Sequence, residues 1–557
     1  MSCSMVSTPS PRASLKLSVP REDGTLLVEP AWRELPELIK GNHAELAKGK
    51  LTYLGKPEEQ LRLEAQEAVI SAARGYLDEL GLSQPPLTTG GPILMGGHQP
   101  TLFHPGVWVK NFALAELAAQ TGGIAINLVI DNDLAETTRF SYPDQKNERL
   151  HTGHIEFGGR IVAQPWEELA APSEADCHDF AARLTESLSR WNVTPALTSV
   201  WEEACRRSSG NLSRTFTIAR GLLERQLGVD NMELPISRLS HQRPFLWFAL
   251  HLLVELTSFR ETYNSQLAAY RDRNKIRNEQ HPVPDLAVNG DWQEAPFWIW
   301  NAGATQRNHV WIKIAADAII LSDGETELAS IPHPDHAGVD ASIAALMQLE
   351  QREIRFRPRA LTTTLYARLF LCDLFVHGIG GAKYDEVTDD LLREFYQHEP
   401  PRYLTLSGTI HFPLPGNVDV TREEVDQLKD RIRDLQYHPD QHLSSAQQQT
   451  AKSLLNEREA LLTEQNAYKE LSKAGKKAAS EHNRQRFQRL KEIAQELSAL
   501  VEPERERLAS ELSRLESLWE ERQVQVNREY PAMFYPAEKL NAFMMQLREE
   551  IRAGFSA

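Results

Sequence analysis

Between Thr421 and Tyr530 the chain carries a single glycine, Gly475, and only two prolines, Pro439 and Pro503. A segment so poor in breakers folds as long helices. Within it Leu490, Ile493, Leu497 and Leu500, then Leu508, Leu512 and Leu515, recur three and four residues apart. That spacing lays one apolar seam along a helix. Thr421 with Glu424 three residues later forms a capping box at the start. Gly475 lies in Ser472–Ser480, between two apolar-periodic arms, and is expected to end a helix in the left-handed conformation. The reading is an antiparallel coiled coil with its tip there. Its seam predicts a homodimer, unless the two arms cover it within one chain. The tip is basic, with Lys469, Lys473, Lys476, Lys477, Arg484, Arg486, Arg489 and Lys491. This is either a solvated helical face or a contact for RNA, an acidic partner or an anionic ligand.

At roughly 150 residues per domain, 557 residues make three to four domains. The net charge is −16, of which the helical segment supplies −2. So acidic a balance disfavours a whole-protein nucleic-acid binder. Cys3, Cys177, Cys205 and Cys372 are far apart with no CxxC pair. That excludes a disulfide framework and a cysteine zinc ribbon, and the expected compartment is a reducing cytoplasm. No apolar run reaches the ~18 residues of a membrane span, so no membrane partner is expected. The first twenty residues are rich in Ser and Pro without an apolar core, and residues 1–25 read as a disordered leader rather than a secretory signal.

The rest reads as α/β. Three apolar runs each lead through a turn into a helical pattern: Pro92–Met95 into Gly96–Pro100, Ile124–Ile130 into Asp131–Asp133, and Leu369–Val376 into His377–Ala382. Strand, turn and helix make the unit of a parallel sheet, whose ligands sit at the carboxyl ends of its strands. The expected organisation is a core over 26–170 and 331–420, interrupted over 171–330 by a helical and then Trp-rich insertion. The helical hairpin over 421–530 and a tail over 531–557 returning to the core follow.

Three polar clusters fall at those strand ends. In the first, His98 and His104 flank Gln99 at the start of a helix, where free N–H groups suit a phosphate or carboxylate. Histidine can donate there or act as acid or base. The loop is similar to the HIGH loop of class I aminoacyl-tRNA synthetases and nucleotidylyltransferases, although five residues separate its histidines instead of two. The plainer alternative is that His98 caps a turn and His104 is structural. In the second cluster, Asp131, Asn132 and Asp133 can orient an amine or hydroxyl, serve as general base or hold Mg²⁺; they can equally form an Asx turn. In the third, Gly378, Gly380 and Gly381 let backbone approach a ligand, with His377, Lys383, Tyr384 and Asp385 alongside. Tight helix–sheet packing is the alternative. Upstream, Arg357 and Thr364 are candidate anion contacts, Arg357 because guanidinium grips carboxylate bidentately. No GxSxG elbow, HExxH or Walker loop occurs.

The order of these parts resembles the bacillithiol biosynthesis cysteine-adding enzyme (BshC) family. The carrying residues are Gly97-His-Gln-Pro-Thr-Leu-Phe-His-Pro-Gly106, Arg357-Pro358 and Val376-His-Gly-Ile-Gly-Gly-Ala-Lys-Tyr384, followed by the long helical segment. Close matches cover about a tenth of the chain. The chain departs from the family in gaining His98 and His104, in reducing an acidic strand end to Asp131-Asn-Asp133, and in its Trp-containing insertion. The resemblance implies a Rossmann-like core related to nucleotidylyltransferases, a dimer through the coiled coil, and a ligase or transferase joining an amino compound such as cysteine to a small polar acceptor. His98, His104, Asp131 and Asp133 would then be catalytic and the other cluster residues substrate-binding, with no metal site. The sequence fixes no cofactor; ATP with Mg²⁺ is compatible with it. A tRNA-associated protein using Lys473, Lys476, Lys477 and Arg484 is the alternative class.

Overall fold

The computed structural model describes residues 17–49, 51–86, 90–159 and 161–556. Two compact units emerge. The larger comprises the described residues up to 142, residues 153–413 and those from 527 onward; the smaller comprises 143–152 and 414–526.

The larger unit is mixed α/β around a six-stranded sheet. Its strands are β1 (Thr25–Glu29), β2 (Ile93–His98), β3 (Ile124–Val129), β4 (Met232–Pro235), β5 (Leu374–His377) and β6 (Leu404–Thr409), in the order β1-β6-β5-β2-β3-β4. All neighbours run parallel except β1, which is antiparallel to β6. Counted along the chain, the five parallel strands lie in the order 3-2-1-4-5, so the winding reverses between β2 and β5. β3 is buried at every residue and β2 from Ile93 to Gly96, as parallel strands covered on both faces must be. Between β2 and β3 runs helix α1 (Pro105–Thr121), begun by the His104 cap and Pro105 and ended by Gly122 in the left-handed region.

Four expectations about this unit are corrected. The run from Leu369 is not all strand: residues 367–371 continue the preceding helix as a wide turn, and β5 starts at Leu374. The Asp373 carboxylate accepts from the Ile93 N–H at 2.9 Å and from Arg62 at 2.9 Å, which pins the strand start. The segment after His377 is no open glycine turn, because Gly378 caps helix α2 (Ile379–Glu394) and Gly380 and Gly381 lie in its first turn. The helical part of the insertion contributes β4 to the sheet itself. Residues 1–16 of the expected leader lie outside the described residues, but 17–25 are anchored: the Thr409 hydroxyl donates to the Pro20 carbonyl at 2.6 Å, and Lys539 pairs with Asp23 at 2.9 Å.

The Trp-rich strands form a separate antiparallel sheet. Trp292–Asn301 lies between Asn308–Ile314 and Ile354–Pro358, and Ala318–Ser322 and Glu327–Pro332 extend it. The terminal helix α3 (Ala537–Ser556) packs on α1, where Arg552 pairs with Glu116. Among the described residues no helix is long and apolar enough to cross a membrane.

In the smaller unit Arg422–Tyr437 and Lys452–Lys469 pack one after the other along Ser480–Gln525, as two stretches of one arm of the expected antiparallel hairpin. Thr421 and Glu424 form the capping box. The tip differs in detail: Gly475 sits inside a short helix, Lys473–Ala478, capped by the Ser472 hydroxyl, and no left-handed glycine ends the arm. Ile493, Leu497, Val501 and Leu508 are buried against Leu428, Leu435 and Leu443 of the same chain. The seam is thus covered internally and does not by itself require a second copy.

Candidate functional site

The carboxyl ends of β2, β3 and β5 open into a cavity of about 640 Å³. It lies where the winding of the sheet reverses, the place at which open α/β sheets bind ligands. His98, Gln99, His104, Asn132, Asp133, Thr364, His377, Gly378, Gly380, Gly381, Tyr384 and Asp385 all border it. The three polar clusters therefore converge on one space, although His98 and Asn132 are 34 positions apart and Asn132 and His377 are 245.

The two histidines take opposite hydrogen-bonding roles. His98 Nδ1 lies 3.3 Å from the Gln99 carbonyl, which assigns the proton to Nδ1 and leaves Nε2 an acceptor. His104 Nδ1 accepts the Gly106 N–H at 3.1 Å, which assigns its proton to Nε2, a donor. Burial pushes His98 down to about 3, with Lys110 adding to the effect. Burial and the Arg528 charge push His104 down to about 4. Both rings are neutral near pH 7.

Four cations border the cavity: Lys110, Arg307, Arg359 and Arg528. Arg307 pairs with Asp133 at 3.1 Å and Arg359 with Glu294. Both guanidinium groups lie over the Trp298 ring, at 4.5 and 4.7 Å from its centroid, which fixes their planes. Lys110 and Arg528 have no carboxylate partner among the described residues. Lys110 is 5% exposed and donates to the Gly97 carbonyl at 2.9 Å. Arg528 donates to Ser407 Oγ at 2.8 Å and the Gly408 carbonyl at 2.7 Å. A β-carbon on Gly106 would fall 1.8 Å from Arg528 and 2.3 Å from the Gly408 carbonyl, so only glycine lets the first turn of α1 lie this close. A buried cation without an anion is costly, and a ligand anion supplies what the protein omits.

The third cluster frames the cavity from α2. His377 Nε2 lies 2.9 Å from Asp385, which also binds Arg368, and Arg368 reaches Asp389 at 2.6 Å. Burial alone would raise Asp385, but the Arg368 guanidinium and His377 hold its carboxyl well below the usual range. This network fixes the first turn of α2. β-Carbons on Gly378 and Gly380 would meet open space, so the backbone there borders the cavity directly.

No protein-family model matches this chain, and no curated protein matches it. The site must be read from its own chemistry.

Three sequence-predicted residues are corrected. Arg357 is 1% exposed, pairs bidentately with Glu167 at 2.8 and 3.0 Å, and borders a different cavity; Arg359, two residues on, reaches this one. Asp131 also faces the other cavity, where the Ser237 N–H and hydroxyl bind it. Lys383 is exposed and does not border either, because it sits one position, about 100°, round the helix from Tyr384. Asn132 and Asp133 stay at the site: Gln99 donates to Asp133 at 2.9 Å and Asn132 to the Pro358 carbonyl at 2.9 Å. Sequence reasoning missed Lys110, Arg307, Arg528 and Trp298. Lys110 had a signal, as the lone charge among Trp108, Val109, Phe112 and Leu114 on a buried helix. Arg528 had none.

Proposed function

We propose that the cavity is the active site of an enzyme that binds a phosphate- or carboxylate-bearing small molecule and joins it to an amine, a ligase or transferase on a Rossmann-like core. The observation that carries the reading is a pair of cations, Lys110 and Arg528, without carboxylate partners, facing a cavity at the reversal of the strand order. The 3-2-1-4-5 order supports the Rossmann-like, nucleotidylyltransferase-like assignment. The resemblance to the bacillithiol cysteine-adding enzymes supports an amine as the second reactant. In this reading Lys110, Arg528 and the first N–H groups of α2 hold the anion. The His104 Nε2–H donates to an oxygen that gains charge, and His98 Nε2 accepts the proton an attacking amine sheds. A bound anion raises the basicity of His98 from its low empty-site value, so acceptance improves once substrate is in place. The side walls Trp298 and Tyr263 suit a base or sugar face. ATP fits the donors as a candidate co-substrate.

Calorimetric titration of the full chain with ATP, AMP, pyrophosphate and phosphate tests the reading. At least one should bind, and Gly380→Val, whose side chain enters the open cavity, should weaken it by about tenfold or more with an unchanged melting temperature. If the wild type binds none of the four, or the variant binds as tightly, the cavity is not the anion site.

A second reading attaches to the smaller unit. Phe487 is 66% exposed on the last helix, on the same side as Arg484 and Lys491, three residues before and four after it. Aromatic rings among cations suit stacked bases and phosphates, so we propose this tip as an RNA contact. Glutamate at Lys476, Lys477 and Arg484 together should abolish RNA retention in a low-salt filter assay and leave anion binding at the cavity intact. Equal retention by wild type and variant would discard it.

A further inference from the structure

A second cavity, of about 590 Å³, opens at the carboxyl ends of β3 and β4. Residues 131–133 and 357–359 separate it from the first, tied together by the Asn132–Pro358 hydrogen bond. Along both segments alternate residues serve the two spaces: Asp131 and Arg357 border the second, Asp133 and Arg359 the first. Most charges of the second cavity are already matched. Arg357 is neutralised by Glu167 and Glu350, Arg355 by Glu168 and Glu350, and Arg238 by Glu79.

Two groups are not. Asp131 is 4% exposed and accepts from Ser237, yet has no cation within ion-pair distance among the described residues. Burial and the nearby Glu167 push its carboxyl up to about 7. Arg214 shares Glu79 with Arg238, lying 3.5 Å from its carboxylate and donating to its carbonyl at 3.3 Å, and its buried Nε–H has no acceptor. Arg214 stands in the first turn of a helix, Leu212–Gln226, whose cap Asn211 and whose Ser213 also border the space. One wall thus presents a buried carboxylate without a cation, and another a guanidinium N–H without an acceptor. A smaller pocket of about 230 Å³ adjoins, sharing His241, Glu350 and Arg357, and is lined by Leu246, Leu346, Met347 and Phe356.

We infer that these two spaces form one binding site for an α-amino acid with a large apolar side chain: its ammonium pairs with Asp131, its carboxylate with Arg214, and its side chain enters the pocket at Leu346, Met347 and Phe356. The inference stands on the second cavity alone and does not need the reading of the first.

Full-length protein titrated calorimetrically with L-leucine, L-phenylalanine and glycine provides the test. Leucine or phenylalanine should bind in the millimolar range or tighter, and glycine about tenfold or more weaker. Isocaproate, which lacks the ammonium, and leucine methyl ester, which lacks the carboxylate, should each lose about tenfold or more. Asp131→Asn should weaken leucine binding while the Ser237 contacts keep a partner. Met347→Asp, at a position 46% exposed and so tolerant of charge, should remove the preference for leucine over glycine. Gly380→Val, which blocks the first cavity, should leave leucine binding unchanged. Absence of binding by all three amino acids overturns the inference. So does isocaproate binding as tightly as leucine, or leucine binding that survives Asp131→Asn and is lost in Gly380→Val.

Discussion

Lys110→Met is expected to make the protein more stable and its cavity worse at holding an anion. Burial pushes the Lys110 ammonium down from 10.5 to about 8. At 1.36 kcal/mol per pH unit, carrying that charge in the empty cavity costs about 3 kcal/mol. Methionine matches the length and removes the charge; the lost hydrogen bond to Gly97 returns about 1 kcal/mol, so the net gain is about 2 kcal/mol near pH 7. The pH dependence identifies the cause. Below about 8 the folded and unfolded chains both keep the proton and the full cost is present. Between about 8 and 10.5 the folded chain releases it first, so the wild type gains stability as pH rises and the advantage of the variant closes. Urea unfolding of both proteins at neutral and alkaline pH measures this. Loss of a charged donor should weaken phosphate or pyrophosphate binding by about tenfold or more. A stabilised variant that binds normally would detach Lys110 from the ligand. A destabilised one would mean that its charge is already compensated within the protein. Stability traded for binding is what a site loaded against its own fold should show.

The sequence made some of this legible and hid the rest for definite reasons. β2 and β3 were readable because buried parallel strands are continuous apolar runs, and the clusters after them were readable because strand ends face ligands. β4 was hidden: Met232-Glu-Leu-Pro235 has only four residues, and its buried Glu233 is matched by Arg220, a partner thirteen residues away inside a helix. Arg357 looked like an anion contact because a guanidinium grips a carboxylate bidentately. Its true partners, Glu167 and Glu350, come from other elements and are brought beside it only by the fold. The same holds for Arg528, which follows the helical segment and reaches the cavity only through the close approach at Gly106. In the smaller unit most of the seam was legible, since periodicity is local, but the break that divides the first arm into Arg422–Tyr437 and Lys452–Lys469 was not. Charge pairing across hundreds of residues carries no local pattern, and the corrected residues are mostly of that kind.

Arg368→Met should be the most damaging single change in the larger unit. The guanidinium is 1% exposed and binds Asp385 and Asp389, themselves 1% and 5% exposed, and the Pro401 carbonyl. Methionine fills much of the volume but leaves two carboxylates buried without it, a loss of about 3–5 kcal/mol. Adding Asp385→Asn should return part of that loss, because one of the two stranded charges is gone. In the wild type the folded carboxyl of Asp385 lies below its ordinary value of 3.8, so its contribution is present above that pH and is lost as pH falls through the lowered folded value. Arg368→Met removes one of the groups that lower it, leaving His377, and its stability should therefore fall less than the wild type's on acidification below about pH 4. Denaturant unfolding between neutral and acid pH measures both effects. The damage should also reach the cavity, since Asp385 holds His377 at 2.9 Å and the pair fixes the first turn of α2 against the anion site. Anion affinity should fall in the single variant and recover only partly in the double one, where asparagine can still hydrogen-bond His377 but no longer carries charge. Unchanged stability would mean that Asp385 and Asp389 are compensated from elsewhere, and the placement of α2 would then need another cause.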